Sequence, residues 1–323
     1  SLLEAMHVLC SGKSFLGVSP RKLQQLDTQD FSLRGEVLLP QQYRQQLQIV
    51  WQDSNLHYSV GGEKIPRSSE YARYQPVQAV TPSSFRIIDE SPDFRRRFID
   101  WGVFHVKHEY VDAWQAFQRC LTQRNNMLLQ GASSQVIYAW NREFVALSEA
   151  VNNLRNAYIE AIKPIFNRII TNLLPDVDIT LSYLAGWDQD QNLLELLDST
   201  LNRDKERGYT IYGPQRAELN IRMGNRSAKD LASRGQKKLI TYALYLSQAE
   251  LQQNDGNYPG LLLIDDLPSE LDQSHQKGVL DLLLDLPMQV VISCIEPGQL
   301  QKMADHASRL FHVKRGGVKE VVQ

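Results

Sequence analysis

The run GLLLIDDLPSELD at Gly260–Asp272 constrains this chain more than any other. Four apolar residues, Leu261-Leu262-Leu263-Ile264, end in two carboxylates, Asp265 and Asp266. The run is short, β-compatible and apolar throughout, which suits a strand buried on both faces of a parallel sheet. Carboxylates at the C-terminal end of such a strand stand where α/β sheets bind ligands. A Walker B element has this layout. Its first aspartate holds Mg²⁺, usually through water, and the next acidic group orients a water against a nucleotide γ-phosphate. Taken alone, a strand running into a polar turn accounts for the same residues.

About thirty residues upstream, Ser233-Arg234-Gly235-Gln236 precedes KKLITYALYLSQAEL. Leu239, Ile240, Ala243, Leu244 and Leu246 recur with helical spacing, and Ser233 is a good N-cap. Such a helix start offers a hydroxyl, free backbone N–H groups and the positive end of a dipole, and glycine lets a phosphate come close. This is the chemistry of the signature motif of ABC-type ATPases, in which one subunit's helix caps the γ-phosphate held by the other. A capped surface helix is the plain alternative for these residues by themselves. Ser269-Glu270-Leu271-Asp272 supplies a third element, matching the D-loop that follows Walker B. Order and spacing of the three favour the nucleotide reading.

A phosphate loop, Gly-x-x-x-x-Gly-Lys-Ser/Thr, is missing. Gly12-Lys13-Ser14 is a decoy, because His7 stands where the leading glycine belongs and LLEAMHVL before it reads as helix. The chain opens at Ser1-Leu2-Leu3 already in helical pattern, so the expectation is a truncation that removed the first strand and the loop. Such a chain binds ATP poorly by itself.

The 323 residues suffice for two lobes. No apolar segment is long enough to span a bilayer, and no signal peptide is visible. Cys10, Cys120 and Cys294 form neither a disulfide framework nor a zinc site, and a reducing cytoplasm fits them. Net charge is −2, so any DNA surface has to be a local basic patch. Arg95-Arg96-Arg97, Lys237-Lys238 and the group Lys302, Arg309, Lys314, Arg315 and Lys319 are candidates, each equally readable as a solvated face.

Three stretches follow from the patterning. Residues 1–92 form the N-terminal part of an ATPase lobe, with β-rich runs at Leu33–Leu39, Gln46–Trp51 and His57–Val60 punctuated by Pro40, Asp53 and Gly61-Gly62. Residues 93–204 are helical, periodic at Phe98–Gln123, Val136–Leu174 and Leu193–Arg207, with a kink or break expected at Pro164. Residues 205–323 return to alternation. Strands are expected at Tyr209–Ile211 and Leu219–Arg222, followed by the signature helix and the Walker B strand. A helix at Gln273–Leu284, a strand at Gln289–Ser293 and a hairpin at Gly316-Gly317 complete the chain. The fold class is α/β: an ABC-type ATPase lobe, a mixed sheet with flanking helices, carrying an inserted all-helical second lobe.

Read together, these residues resemble the RecF family of bacterial recombination and gap-repair proteins, in the ABC/SMC ATPase class. The most specific mark is Pro82-x-x-x-x-Ile87-Ile88-x-x-Ser91-Pro92-x-x-Arg95-Arg96-x-Phe98-Ile99-Asp100-Trp101-Gly102. The family has an acid where Ser83 stands and a glycine where Glu90 stands. Tyr212-Gly213-Pro214-Gln215-Arg216-Ala217-Glu218 resembles its Gly-Pro-His-Arg-Ala-Asp segment, with Gln215 in the histidine position. The likeness covers the whole chain, Gly12-Lys13-Ser14-Phe15 included.

The resemblance implies an ATP- and Mg²⁺-dependent homodimer. Asp265 would serve as metal ligand and Asp266 as second catalytic acid, facing Ser233, Arg234, Gly235, Gln236 and Asp272 of the other copy. It further implies clamping of DNA at single-strand/duplex junctions and cooperation with RecO and RecR in loading RecA. Arg95, Arg96 and Arg216 are candidates for phosphate, DNA or interface contacts. Phe98, Trp101, Phe104 and Trp114 read as core of the helical lobe rather than a base-stacking platform. No histidine occurs at Ser293-Cys294-Ile295, directly after the strand that follows Walker B, and Asp266 is shorter than the glutamate typical of transporters. Slow hydrolysis is the expected result. Other SMC-like or overcoming-lysogenization-type ATPases, a metal-dependent phosphatase or nuclease built on Asp265 and Asp266, and a non-catalytic interaction module are the alternatives.

Overall fold

The apolar tetrad Leu261–Ile264 is the middle strand of a three-stranded parallel sheet in the computed structural model of the chain. The structure describes residues 1–25, 28–38, 43–255, 259–267, 271–295, 309–314 and 316–321. Strands follow one another as β1 (Phe31–Leu38), β2 (Arg44–Gln52), β3 (Asn55–Val60), β4 (Glu63–Ile65) and β5 (Val77–Val80). Next come β6 (Ile179–Leu184), β7 (Glu218–Met223), β8 (Arg226–Ser227), β9 (Leu261–Ile264) and β10 (Gln289–Ile292). A hairpin of β11 (Leu310–Lys314) and β12 (Gly317–Val321) ends the described chain.

Two units emerge. The first takes Ser1–Phe85, Lys238–Gln253 and Asn257–Gln323, and the second takes Arg86–Lys237 and Asn254–Gly256. In the first, β1-β2-β3-β4 form an antiparallel sheet and β10-β9-β5 a parallel one. Helix Leu2–Ser11 packs on both. Its Leu3, Met6 and Cys10 meet Val77, Leu261 and Leu263, while Leu9 joins Leu47, Ile49 and Tyr71. Gly35 on β1 makes room for this approach: a Cβ there would lie 2.6 Å from Leu9 Cδ2. The helix stops at Gly12, whose φ of +72° and N–H to Val8 O (2.7 Å) form a left-handed cap. Gly12-Lys13-Ser14 therefore terminates a helix, as its context suggested.

All four side chains of β9 are buried, each contributing about 1.5–3 kcal/mol on leaving water. The periodic residues Leu239, Ile240, Ala243, Leu244 and Leu246 of helix Arg234–Asp255 are buried too. So are Gln248 and Gln252 further along it, and Gln78 of β5 donates its amide to Gln248 Oε1. Buried amides thus join apolar contacts in fixing this helix against the parallel sheet.

The second unit is helical around Pro92–Val106, Tyr110–Leu129 and the 40-residue helix Ser134–Leu173. It also holds an antiparallel sheet, β6-β7-β8, so the inserted lobe is not helical throughout. Its bounds differ from 93–204 because residues on either side are tied into it. Arg95 pairs with Glu218, and Lys237 lies 2.6 Å from Asp89.

Three local expectations change. Phe98–Gln123 is interrupted at Lys107, which is extended (φ −117°, ψ 108°), and the next helix brings the Tyr110 hydroxyl back to Asp100. Pro164 does not break its helix. The proline sits on the exposed face, while Ile159, Ile162, Phe166 and Ile169 are buried on the other, and that burial offsets the lost hydrogen bond. Tyr209–Ile211 forms no strand, because its backbone partners are side chains. Thr210 N–H donates to Asn125 Oδ1 (2.9 Å) and Ile211 N–H to Asp204 Oδ1 (3.0 Å).

Two outcomes test these packing arguments. Arg124 and Asp204, both fully buried, pair at 2.8 Å, and Arg124 also reaches Thr210 Oγ1 and Asn141. Arg124→Met leaves Asp204 charged without its partner and should cost about 3–5 kcal/mol in urea unfolding. Adding Asp204→Leu should recover most of that loss. Burial lowers the pKa of His7 below 6.5, outweighing its bond to Lys13 O (2.7 Å) and the field of Glu4. The unfolded chain then binds this proton more readily. Its contribution to stability is present above the unfolded value and lost as pH falls through the folded one. An NMR titration should give a His7 pKa under 6.5, and His7→Asn should flatten the acid-side loss of urea midpoint.

Candidate functional site

Parallel pairing on both edges of β9 carries the chain to a common C-terminal edge. The ladders run past the strand ends: Asp265 N–H donates to Val80 O (2.9 Å) and Ser293 N–H to Ile264 O (2.9 Å). Ser293, just beyond β10, clasps both aspartates. Its hydroxyl donates to Asp265 Oδ1 (2.7 Å) and accepts from Asp266 N–H (3.0 Å). Asp266 has φ +56°, in the left-handed region that aspartate tolerates better than most residues. After β5, the hydroxyls of Thr81 and Ser83 lie 2.8 Å apart, and Ser84 Oγ accepts from Thr81 N–H (3.1 Å). Two carboxylates and a row of hydroxyls therefore share the edge. The Cys294 thiol is pushed up by burial and by Asp266 beside it.

Asp265 is the one candidate metal ligand among the sequence-selected residues. No group of three or more His, Cys, Asp or Glu suited to a metal occurs among the described residues. The donor set fits Mg²⁺, which keeps waters and takes one or two carboxylates plus substrate phosphates. Among the described residues it lacks the several protein ligands that a phosphatase or nuclease centre needs.

Ser233–Gln236 belong to the second unit and form a capping box. Gln236 N–H donates to Ser233 Oγ (3.3 Å) and Ser233 N–H to Gln236 Oε1 (2.9 Å). The serine hydroxyl accepts here and keeps its own proton for a further acceptor. Arg234 and Gly235 are exposed. A Cβ on Gly235 would meet nothing within 4 Å, and its φ is not positive. Among the described residues neither packing nor backbone conformation requires glycine there, although it costs a helix about 1 kcal/mol.

Of the D-loop, Ser269 and Glu270 lie outside the described residues, as do Lys302 and Arg315 of the C-terminal basic group. Asp272 caps helix Gln273–Leu284. Its carboxyl is held well below the usual range, first by His275 N–H (3.0 Å), then by the Ser274 hydroxyl and the His275 ring. Both of its oxygens are engaged locally.

The three candidate arginines divide. Arg95 forms a fork with Glu218 (2.6 and 2.8 Å) and donates to Ile87 O and Glu90 O. Arg96 donates to Ala217 O (2.9 Å) and to Asp93. Both hold the second unit together. Arg216 is exposed, with its guanidinium 5.1 Å from the ring centroid of Tyr209. Phe98 is buried and Trp114 half-buried beneath the Arg155 guanidinium, as core residues rather than a platform. Sequence reasoning passed over Arg155 and Tyr209. Arg155 is fully buried, bonded to Asp100 (2.8 Å) and to Pro214 O (2.8 Å), and a charged residue on the apolar stripe of a long helix was the available signal.

No protein-family profile matches the chain. Curated relatives do. The DNA replication and repair protein RecF of Stutzerimonas stutzeri is 37% identical over 325 residues, 99% of this chain and 88% of the relative. RecF of Pseudomonas fluorescens is 38% identical over 98% of this chain and 88% of its own length. Among solved structures, the recombination mediator protein RecF with ATP, of the RecFOR pathway, superposes with a TM-score of 0.85 at 22% identity, over 99% of this chain and 88% of that one. An Smc head bound to the C-terminal winged-helix domain of ScpA gives 0.56 at 15% identity, over 99% and 85%. The fold is that of ABC/SMC-type ATPase heads, and at this identity over nearly its whole length the chain belongs to the RecF family of DNA replication and repair proteins.

Proposed function

We propose that this chain is an ATP-switched, DNA-binding protein of cytoplasmic gap repair, acting as a nucleotide-dependent homodimer. The observation that carries the proposal is the pairing of Asp265 and Asp266 around Ser293 at the end of a doubly paired strand. Gly235, which nothing among the described residues requires, supports the second half of the reading: space left for an acceptor from another molecule.

ATP with Mg²⁺ would supply the phosphates and the bridging charge when bound. Asp265 would hold the cation, fixed in orientation by the Ser293 hydroxyl. Asp266 would orient the attacking water, and its short side chain, with Ser293 rather than a histidine directly after β10, would make hydrolysis slow. Across the dimer, the Ser233 hydroxyl and the N–H groups of its helix start would receive the γ-phosphate. Arg234 and Gln236 flank that contact, and Asp272 acts indirectly through the helix it caps. A site completed by two copies makes nucleotide the glue of the dimer and hydrolysis its release. The closed dimer would clamp DNA near single-strand/duplex junctions and, with RecO and RecR, assist the loading of RecA. Phosphates rather than base edges would be read, giving weak sequence preference and strong salt dependence.

Three substitutions separate the roles, in a chain that includes the glycine-rich phosphate loop. Asp265→Asn should abolish ATP-dependent dimerisation in analytical ultracentrifugation. A mutant that dimerised and hydrolysed ATP like its parent would remove the metal-site assignment. Asp266→Asn should keep the ATP dimer and lower single-turnover hydrolysis about 10²–10⁴-fold. Ser233→Arg should bind ATP normally as a monomer, and retention of the dimer would rule out the shared site.

A further inference from the structure

Segment Tyr209–Glu218 is held with unusual thoroughness for a stretch with little regular structure, and four arginines do much of the holding. Arg124 takes Thr210 Oγ1 (2.7 Å), Arg155 takes Pro214 O, Arg96 takes Ala217 O and Arg95 takes the Glu218 carboxylate. Beneath it, Gly186 has φ +93°, and a Cβ there would lie 2.2 Å from Gly213 O. Gly213 itself needs φ +133°. Every one of these arginines is spent on the protein.

Arg216 is the exception. It lies between two of the anchored residues, is exposed, and has no carboxylate partner among the described residues. Its guanidinium rests over the Tyr209 ring, which is itself 37% exposed. Stacking fixes the plane of the fork and leaves its N–H edges free for a planar or tetrahedral oxyanion. The ordering cost of a contact made by this side chain is therefore already met by folding. From Arg216 the chain runs on along β7 to exposed Arg222, which also donates to Asn225 O, whereas Arg226 pairs with Met223 and lies on the other face of the hairpin. At a strand's rise the six residues to Arg222 span about 20 Å, longer than one ion pair and suited to a polyanion. With a net charge of −2, the chain has no general attraction for nucleic acid, so contacts of this kind have to be placed individually.

We propose that Arg216, stacked on Tyr209, grips a DNA backbone phosphate, with Arg222 further along β7 as a second contact on the same polyanion. This rests on the DNA-binding reading given above. The test is fluorescence anisotropy of a labelled gapped duplex with ATP and the phosphate-loop-containing chain, between 50 and 200 mM salt. Arg216→Ala should weaken binding about 10-fold and reduce the slope of log K against log salt by about one. Arg216→Lys should keep the slope and recover part of the affinity. Tyr209→Leu should keep the slope and lose about 3-fold in affinity. ATP-dependent dimerisation should be unchanged in all three. If wild type binds and Arg216→Ala has the wild-type slope, the assignment is overturned while the DNA-binding reading stands. If wild type shows no salt-dependent binding at all, both fall. Loss of an acidic protein partner with DNA binding intact would also overturn the phosphate assignment.

Discussion

Everything at the carboxylate edge depends on β9 being hydrogen-bonded on both sides. A strand with one free edge could slip by a residue, and a slip of one would turn Asp265 from its present face toward the opposite one. Here β5 and β10 pair with Leu261–Ile264 in matching register, and the bonds from Asp265 N–H and Ser293 N–H continue that register past the last strand residue. The position of Ser293 between the aspartates follows from the ladder. Complete burial of the four apolar side chains makes this arrangement expensive to disturb.

The second unit solves a different problem, that of satisfying backbone groups where no neighbouring strand is available. Arg96 and Arg155 donate to the carbonyls of Ala217 and Pro214, while Asn125 and Asp204 accept from Thr210 and Ile211. Guanidinium groups suit this work, since each carries several donors and stays charged when buried. Burial of Arg155, and of Arg124 nearby in the same unit, is tolerable because Asp100 and Asp204 respectively neutralise them. The family-like runs Arg95-Arg96 and Gly213-Pro214-Gln215-Arg216 are thus two sides of one internal fastening, with Arg216 turned outward.

Much of this was legible in the sequence where one signal dominated. An apolar tetrad ending in Asp-Asp can be little but a central strand, and Ser-x-x-Gln before a periodic run can be little but a capped helix. β1, β2 and β3 were visible in alternation between turns. The misreadings have separate causes, and one of them is long-range side-chain bonds that periodicity does not register. Tyr209–Ile211 has strand-like residues, yet Asn125 and Asp204, far off in sequence, take its N–H groups. Ile179–Leu184 did alternate, and was overlooked inside an otherwise helical stretch. Pro164 argued for a break that the buried face opposite it overrides. At the candidate site, residue types were readable while the Ser293 clasp and the engagement of Arg95 were not, because both need tertiary neighbours.

The left-handed backbone at Asp266 limits which acids the position can hold. Aspartate and asparagine enter that region at modest cost through local side-chain bonding, an accommodation that a longer glutamate lacks. Carboxylate length at 266 is therefore coupled to the turn after β9. Placing a longer acid at 266 would require the turn after β9 to be rebuilt in the same step.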